Sequence, residues 1–423
     1  MTIPTAESLG TEATRSIDRR ALNGVRLMVL AVVLLQRFAV PGLTIGLCLP
    51  IVLAIVIYLA SHHILVEDGL RTGLYLLAVT ACCGATLLSA IHFSDWSPKS
   101  LMLLLFLYAP FCYCIRPDLR RLYRPLLEFF NKIMVVAACV ALAQWAAQIL
   151  GWTYQDPLAP LPRQLLLQTY NTSSPVMYGS SLMKTNAVVF LEPSFCSQFL
   201  AIALIAQLIL GGRWWRLPLY AAAIFTSVSG TGIVLLAVGL TVLAIRRGGR
   251  WAAKMFLVVA TLGVAILSTP LGALLRTRST EPGTLNSSGN ARFVAPYDQV
   301  AAGLARDVPT LLFGRGPGQS SLNTSGIRFF NPDEIEANYP VIPKLGAEYG
   351  LIAAVLFTTF LLVALTRGTP SPTMSAIMIV FHFTLSGSLL QPHTAYMTYI
   401  FSSLFAVAPA HAENRSMVVV PDT

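Results

Sequence analysis

One carboxylate stands at the threshold of an unbroken apolar stretch. In VVFLEPSFCSQFLAIALIAQLIL, Val188 to Leu210, the step Glu192-Pro193-Ser194 precedes a run long enough to cross a bilayer. A carboxylate at mid-bilayer costs roughly 2.5–3.5 kcal/mol on insertion scales, so Glu192 must be held at an interface or used. Pro193 suits the first turn of a helix, where a missing N–H costs nothing. Glu192 then sits at the cap, where a helix N-terminus favours its charge by about 0.3–1 kcal/mol. Two readings fit: a helix-start signal, and a carboxylate placed to act as a base or to bind a hydroxyl.

Arg315 is a second candidate. In FGRGPGQSS it lies among glycines whose N–H groups could cradle an anion. No βαβ pattern surrounds this turn, so a dinucleotide-binding reading fails. Arg276 and Arg278 follow an apolar run, where basic side chains snorkel to the membrane surface. Asp333, Glu334 and Glu336 form an exposed acidic run, which reads as solvated rather than as a metal site. The six histidines are scattered without metal-ligand spacing, and His393 in QPHTAY is a spare candidate base. No metal and no cofactor is expected. The seven cysteines lie in or near apolar runs and read as small apolar side chains, not as a disulfide framework.

The elements that must position these groups are membrane spans. The chain has 423 residues, is 55% hydrophobic and only 11% charged, against about 25% charged in soluble domains. That composition excludes a soluble protein. Residues 1–20 are polar and lack an apolar core with a cleavage site, so the first apolar run is read as an anchor. Apolar stretches fall near 22–37, 42–60, 72–91, 99–115, 126–150, 195–211, 215–229, 231–246, 252–275, 346–366, 373–390 and 394–410. The expected fold is an all-α polytopic membrane protein with about twelve transmembrane helices.

Short connections rich in Lys and Arg set the orientation. Arg116, Arg120, Arg121, Arg124, Arg213, Arg216, Arg246, Arg247, Arg250 and Lys254, with Arg15, Arg19 and Arg20, all fall on one side of twelve spans. That side is read as the cytoplasm. It holds the N-terminal arm 1–21 and the C-terminal tail 411–423, flanking a transmembrane domain 22–410. The net charge of +10 is thus a topology signal and not a mark of nucleic-acid binding. Two long connections, about 151–194 and 276–345, face outward. In the second, Phe293, Tyr297, Val300, Ala301 and Leu304 recur at helical spacing and predict an amphipathic helix.

FLEPSFCSQFLAIAL, SVSGTGIVLLAVGL, LLFGRGPG and NYPVIPKLGAEYGLIAAVLF occur in this order, with a large outer loop before the last three spans. In this the chain resembles the Wzy-type O-antigen and exopolysaccharide polymerases, which form one superfamily with the O-antigen ligases. LLQRFAVPGLTIGL also resembles the opening of exopolysaccharide members. The resemblance implies inverting glycosyl transfer on the periplasmic face of a bacterial inner membrane. Undecaprenyl-diphosphate-linked repeat units would be donor and acceptor, and lipid diphosphate the leaving group. Cations must then neutralise the departing diphosphate. A chain-length regulator and export machinery are the further partners this implies.

The resemblance also assigns residues. Family members carry an arginine early in the large loop, and Arg292 in SGNARFVAPYDQ takes that place. A guanidinium suits phosphate by its planar fork. A basic residue some eight positions before the carboxylate corresponds to Lys184. Arg278 and Arg315 are supporting cations. Ligases present a His-Asn pair where this chain has Ala337-Asn338, so Asn338 remains as a substrate contact and the base must come from Glu192 or Glu336. Ser229-Gly230-Thr231-Gly232 is closer to the polymerases, and its glycines are read as permitting a sharp outer turn. Glu348 is read as a carboxylate opening the next span. A ligase and a flippase-type transporter are the alternatives. A transporter should line its path with ionisable groups and show two related halves, and neither is visible here.

Overall fold

The computed structural model describes residues 6–43, 45–93, 96–168, 170–177, 180–249, 293–320, 339–385 and 389–406. In chain order the helices are α1 (Ala6–Leu34), α2 (Cys48–Ser61), α3 (Gly69–Phe93), α4 (Pro98–Tyr108), α5 (Tyr123–Ile149), α6 (Pro193–Leu210), α7 (Arg216–Thr226) and α8 (Gly230–Arg247). After the next described residue come α9 (Ala295–Leu304), α10 (Val308–Phe313), α11 (Val341–Thr366), α12 (Pro372–Val380) and α13 (Pro392–Thr398). Five helices are long and apolar enough to cross a membrane, beginning at Gly69, Pro117, Pro193, Gly230 and Val341. Every apolar stretch named above contains a helix except 252–275, which lies outside the described residues.

Helix starts follow local chemistry. Ser97 caps α4, Asp307 caps α10 and Ser371 caps α12, each side chain accepting from a backbone N–H three residues on, with proline in the first turn. Two helix ends depart from the regular form. α12 passes into a π-turn over Phe381–Leu385, and α13 into another over Tyr399–Ser403. The fourth apolar stretch does not stay helical. After α4 come a 3-10 turn, Ala109–Cys112, and a three-residue strand, β2 (Tyr113–Ile115). β2 pairs antiparallel with β1 (Leu65–Glu67), Leu65 opposite Ile115. α1 also begins inside the stretch read as a polar arm.

The bundle has two distinguishable ends. At one, Arg121 meets Asp18, Arg120 donates to the Thr369 carbonyl, and Arg124 and Arg247 donate to the carbonyls of Leu210 and Leu208. Here too the guanidinium of Arg71 donates to the carbonyls of Ser403 and Arg367, each at 3.0 Å, beyond the ends of α13 and α11. A single buried side chain thus satisfies carbonyls that two helix termini leave open. Because α11 and α13 both finish at Arg71, both begin at the opposite end, where the candidate site lies.

α6 is the central element. Every residue from Pro193 to Ile209 is buried, including the polar Ser194, Ser197, Gln198 and Gln207. Ser194 donates to Glu192, Ser197 to the Ser229 carbonyl and Gln198 to the Leu385 carbonyl. Gln207 donates to the carbonyls of Gly211 and Gly212 at the helix end and accepts from Arg216.

Candidate functional site

Two helix heads stand side by side. Pro193 opens α6 behind Glu192 as its cap, as the sequence predicts, and Ser229 caps α8. The two helices run parallel, because Ser197 faces Gly232 near one end and Ile205 faces Gly239 further along. A Cβ on Gly232 would fall 2.0 Å from Ser197 Oγ. Gly232 therefore permits helix contact rather than a turn, contrary to expectation, whereas a Cβ on Gly230 would meet open space. The turn itself is made by Ser227-Val228-Ser229, with Val228 in left-handed backbone at φ 43°.

The chain approaching Glu192 is strained in the same way. Ala187 and Val188 have φ of 50° and 65°. Val189 N–H donates to the Ala187 carbonyl at 2.7 Å, closing a γ-turn around Val188 in the rarer, strained form. Left-handed backbone is uncommon for non-glycine residues, and for a β-branched valine it is an outlier. Among the described residues five non-glycines have positive φ, and three of them, Ala187, Val188 and Val228, lie in these two heads. Such strain concentrates where function over-determines the backbone.

A buried network imposes it. Asn186 accepts from Val188 N–H at 3.0 Å and donates to the carbonyls of Thr172 and Phe190. Arg37, just past α1, pairs through both terminal nitrogens with Asp156 and donates to the Val188 carbonyl at 2.9 Å. Burial works against the Asp156 carboxylate, but the Arg37 hydrogen bonds prevail and hold it below its ordinary range. Burial pushes the neighbouring Tyr154 phenol up to about 12. Thr185 is bound to Thr226 through both hydroxyls, at 2.8 Å, which ties the two strained turns together.

Glu192 itself is half-buried, in extended backbone, and accepts from Ser194 Oγ at 2.9 Å. One turn on, Phe195 meets the His393 ring edge-on at 4.8 Å. His393 is buried at the start of α13, and its Nε2 has no hydrogen-bond partner. Beside it Gln391 donates to Tyr170 Oη at 3.1 Å. Lys184 is half-buried in the same approach segment, its N–H donating to the Ser174 carbonyl. Phe195 thus brings His393 to the head of α6 beside Glu192, while Lys184 lies on the segment that approaches it.

Arg315 belongs to a second joint, between the loop after α10 and α11. Its N–H donates to the Ala347 carbonyl at 2.8 Å, and Gly316 N–H to the Glu348 carbonyl at 2.9 Å. Of the N–H groups read as an anion cradle, those of Gly314, Arg315 and Gly316 are therefore occupied by helix carbonyls. The two carbonyls on α11 are free to accept because α11 is interrupted at Gly350, φ 73°. The Arg315 side chain pairs with Asp307 at 3.3 Å and lies 4.2 Å over the Phe93 ring. α11 begins at Val341, so Glu348 does not open the span. It is fully buried at the interruption and paired with Lys344 at 3.5 Å. α9 forms as expected. Ala295, Gln299, Val300 and Gly303 face inward, while Phe293, Tyr297 and Ala301 are exposed. A 2.6 Å hydrogen bond from Tyr339 to Gln299 Oε1 fixes that face, and burial pushes the Tyr339 phenol up to about 12.

Arg278, Arg292 and Asn338 lie outside the described residues, as do the acidic positions 333, 334 and 336. The sequence reading did not find Arg37, Asn186 or the left-handed valines. A lone arginine closing an apolar run was the visible signal for the first, and backbone strain leaves none. Compared with models of known protein families and with curated proteins, the chain matches none.

Proposed function

We propose that this protein is a lipid-linked glycan polymerase. It would join undecaprenyl-diphosphate-linked repeat units at the outer face of a bacterial inner membrane, with about twelve spans and both termini in the cytoplasm. One observation carries the reading. The four segments that resemble the polymerases fold in pairs, FLEPSF against SVSGTG and FGRGPG against PKLGAEYG, both at the bundle end opposite the basic turns. Segments far apart in sequence thus build one polar end on an apolar body.

In this mechanism Glu192 takes the proton of the acceptor hydroxyl, or orients that hydroxyl for attack. The new glycosidic bond forms as the bond from the sugar to diphosphate breaks. Arg292 neutralises the leaving diphosphate, supported by Lys184, by Arg278 and Asn338, and by Arg315 from the second joint. No nucleotide sugar and no metal takes part.

Deleting the protein and resolving the lipid-linked glycans tests the reading. Single repeat units without polymer are the expected result. Polymer stranded on undecaprenyl would make the protein a ligase, and units trapped on the inner leaflet would make it a flippase. Arg292→Ala should abolish polymer while the protein still inserts and accumulates. Wild-type polymer from that variant removes Arg292 from the mechanism.

A further inference from the structure

The strained turn before Glu192 needs something to hold it. A left-handed L-residue is disfavoured by the contact of its Cβ with the following carbonyl, and here two are consecutive, Ala187 and Val188. Three residues separate Val188 from Glu192, so relaxation of the turn would displace the carboxylate. Asn186 secures the turn from within, through its own backbone neighbours. The one side chain described as reaching the turn's Val188 carbonyl from another part of the chain is Arg37. Arg37 is 4% exposed, and Asp156 orients its guanidinium so that one nitrogen serves both the carboxylate and the carbonyl.

We infer that Arg37 is a positioning residue: by clamping the Val188 carbonyl it holds the left-handed turn that sets the place of Glu192. The inference rests on the polymerase reading for its activity readout, but the clamp itself is a property of the fold. Arg37 donates to protein groups through both terminal nitrogens and is almost wholly buried, so the clamp is complete without substrate.

Glycine at position 188 provides the test, because glycine adopts positive φ without the Cβ penalty. Arg37→Ala should cut polymer formation. In the double variant Arg37→Ala, Val188→Gly, polymer should recover by about tenfold over Arg37→Ala alone, because the turn no longer resists its conformation. If glycine gives no recovery, or if Arg37→Ala makes wild-type polymer, the positioning role is wrong.

A second measurement needs no activity. In Glu192→Cys protein, the rate of labelling by a membrane-impermeant maleimide, above the background of the native cysteines, reports where position 192 sits. Arg37→Ala should change that rate, and adding Val188→Gly should restore it. An unchanged rate overturns the clamp even if the protein polymerises glycans. A restored rate upholds it even if deletion analysis shows that the protein is no polymerase.

Discussion

The two joints at the site end solve the same problem in opposite ways. Both need backbone in the left-handed region. Among the described residues of the joint between the Arg315 loop and α11, every such position is glycine: Gly314, Gly316, Gly318 and Gly350, with φ between 68° and 94°. Here the absent side chains also admit close backbone contact. In the joint at the heads of α6 and α8, the left-handed residues are Ala187, Val188 and Val228. Glycine would have been the relaxed choice there too. A joint built only to hold the fold uses relaxed residues, whereas a joint that retains strain is held by neighbours for another reason. The comparison favours the helix heads, with Glu192, as the reactive region and the Arg315 joint as its support.

The sharpest way to break that contrast is to exchange the residue types. Gly350→Ala should abolish accumulation of folded protein, because its Cβ would fall 2.4 Å from the backbone of Leu312. Normal accumulation on a membrane-fraction blot would show that the joint is loose. Lys344→Met should be the next largest. It leaves the Glu348 carboxylate buried without its cation, a loss of about 3–5 kcal/mol, readable as a lowered thermal midpoint in detergent. A midpoint unmoved by Lys344→Met would mean that the pair adds nothing to the support.

Glu192→Gln should do the reverse. It should lower polymer yield by about 100-fold or more, as loss of a general base does, with the midpoint unchanged. If the midpoint falls and the yield does not, Glu192 is only a helix cap. Asp307→Ala should cost about 1 kcal/mol through loss of the α10 cap. Hydrogen bonding to Thr310 holds the Asp307 carboxyl below its ordinary range. A depressed folded-state pKa gives a contribution present above the unfolded pKa and lost as pH falls through the folded one. The stability gap between wild type and Asp307→Ala should therefore close in acid, and a gap independent of pH would refute the assignment. The smallest effect is expected from Ala187→Gly. Relief of roughly 1–2 kcal/mol of strain is offset by a lost buried methyl and by glycine's entropy. A stability change above about 1 kcal/mol would place Ala187 outside the balance described.

Much of the architecture was legible because hydropathy and proline positions are local signals. Pro193 marks a helix start that the structure repeats. The β1–β2 ribbon was not legible, because three residues per strand carry no period. Which face of α9 packs inward was not legible, because apolar spacing gives a stripe but not its partner, and Gln299, bound by Tyr339, lies on the buried face. At the site, Glu192 was legible from its charge. The clamp around it was not, since Arg37, Asp156 and Asn186 are far apart in sequence and φ is written in no residue type.

The buried guanidinium of Arg71 has a mechanical corollary. By fastening the trailing ends of α11 and α13 to α3, it makes that end a shared pivot. From Leu351 to Thr366, sixteen residues of α11 form a lever of about 24 Å. A rocking of about 5° about the pivot sweeps the Gly350 joint sideways by about 2 Å at that length. Any widening of the bundle to admit a bulky lipid-borne chain is therefore greatest at the end that carries Glu192 and smallest at the end gripped by Arg71.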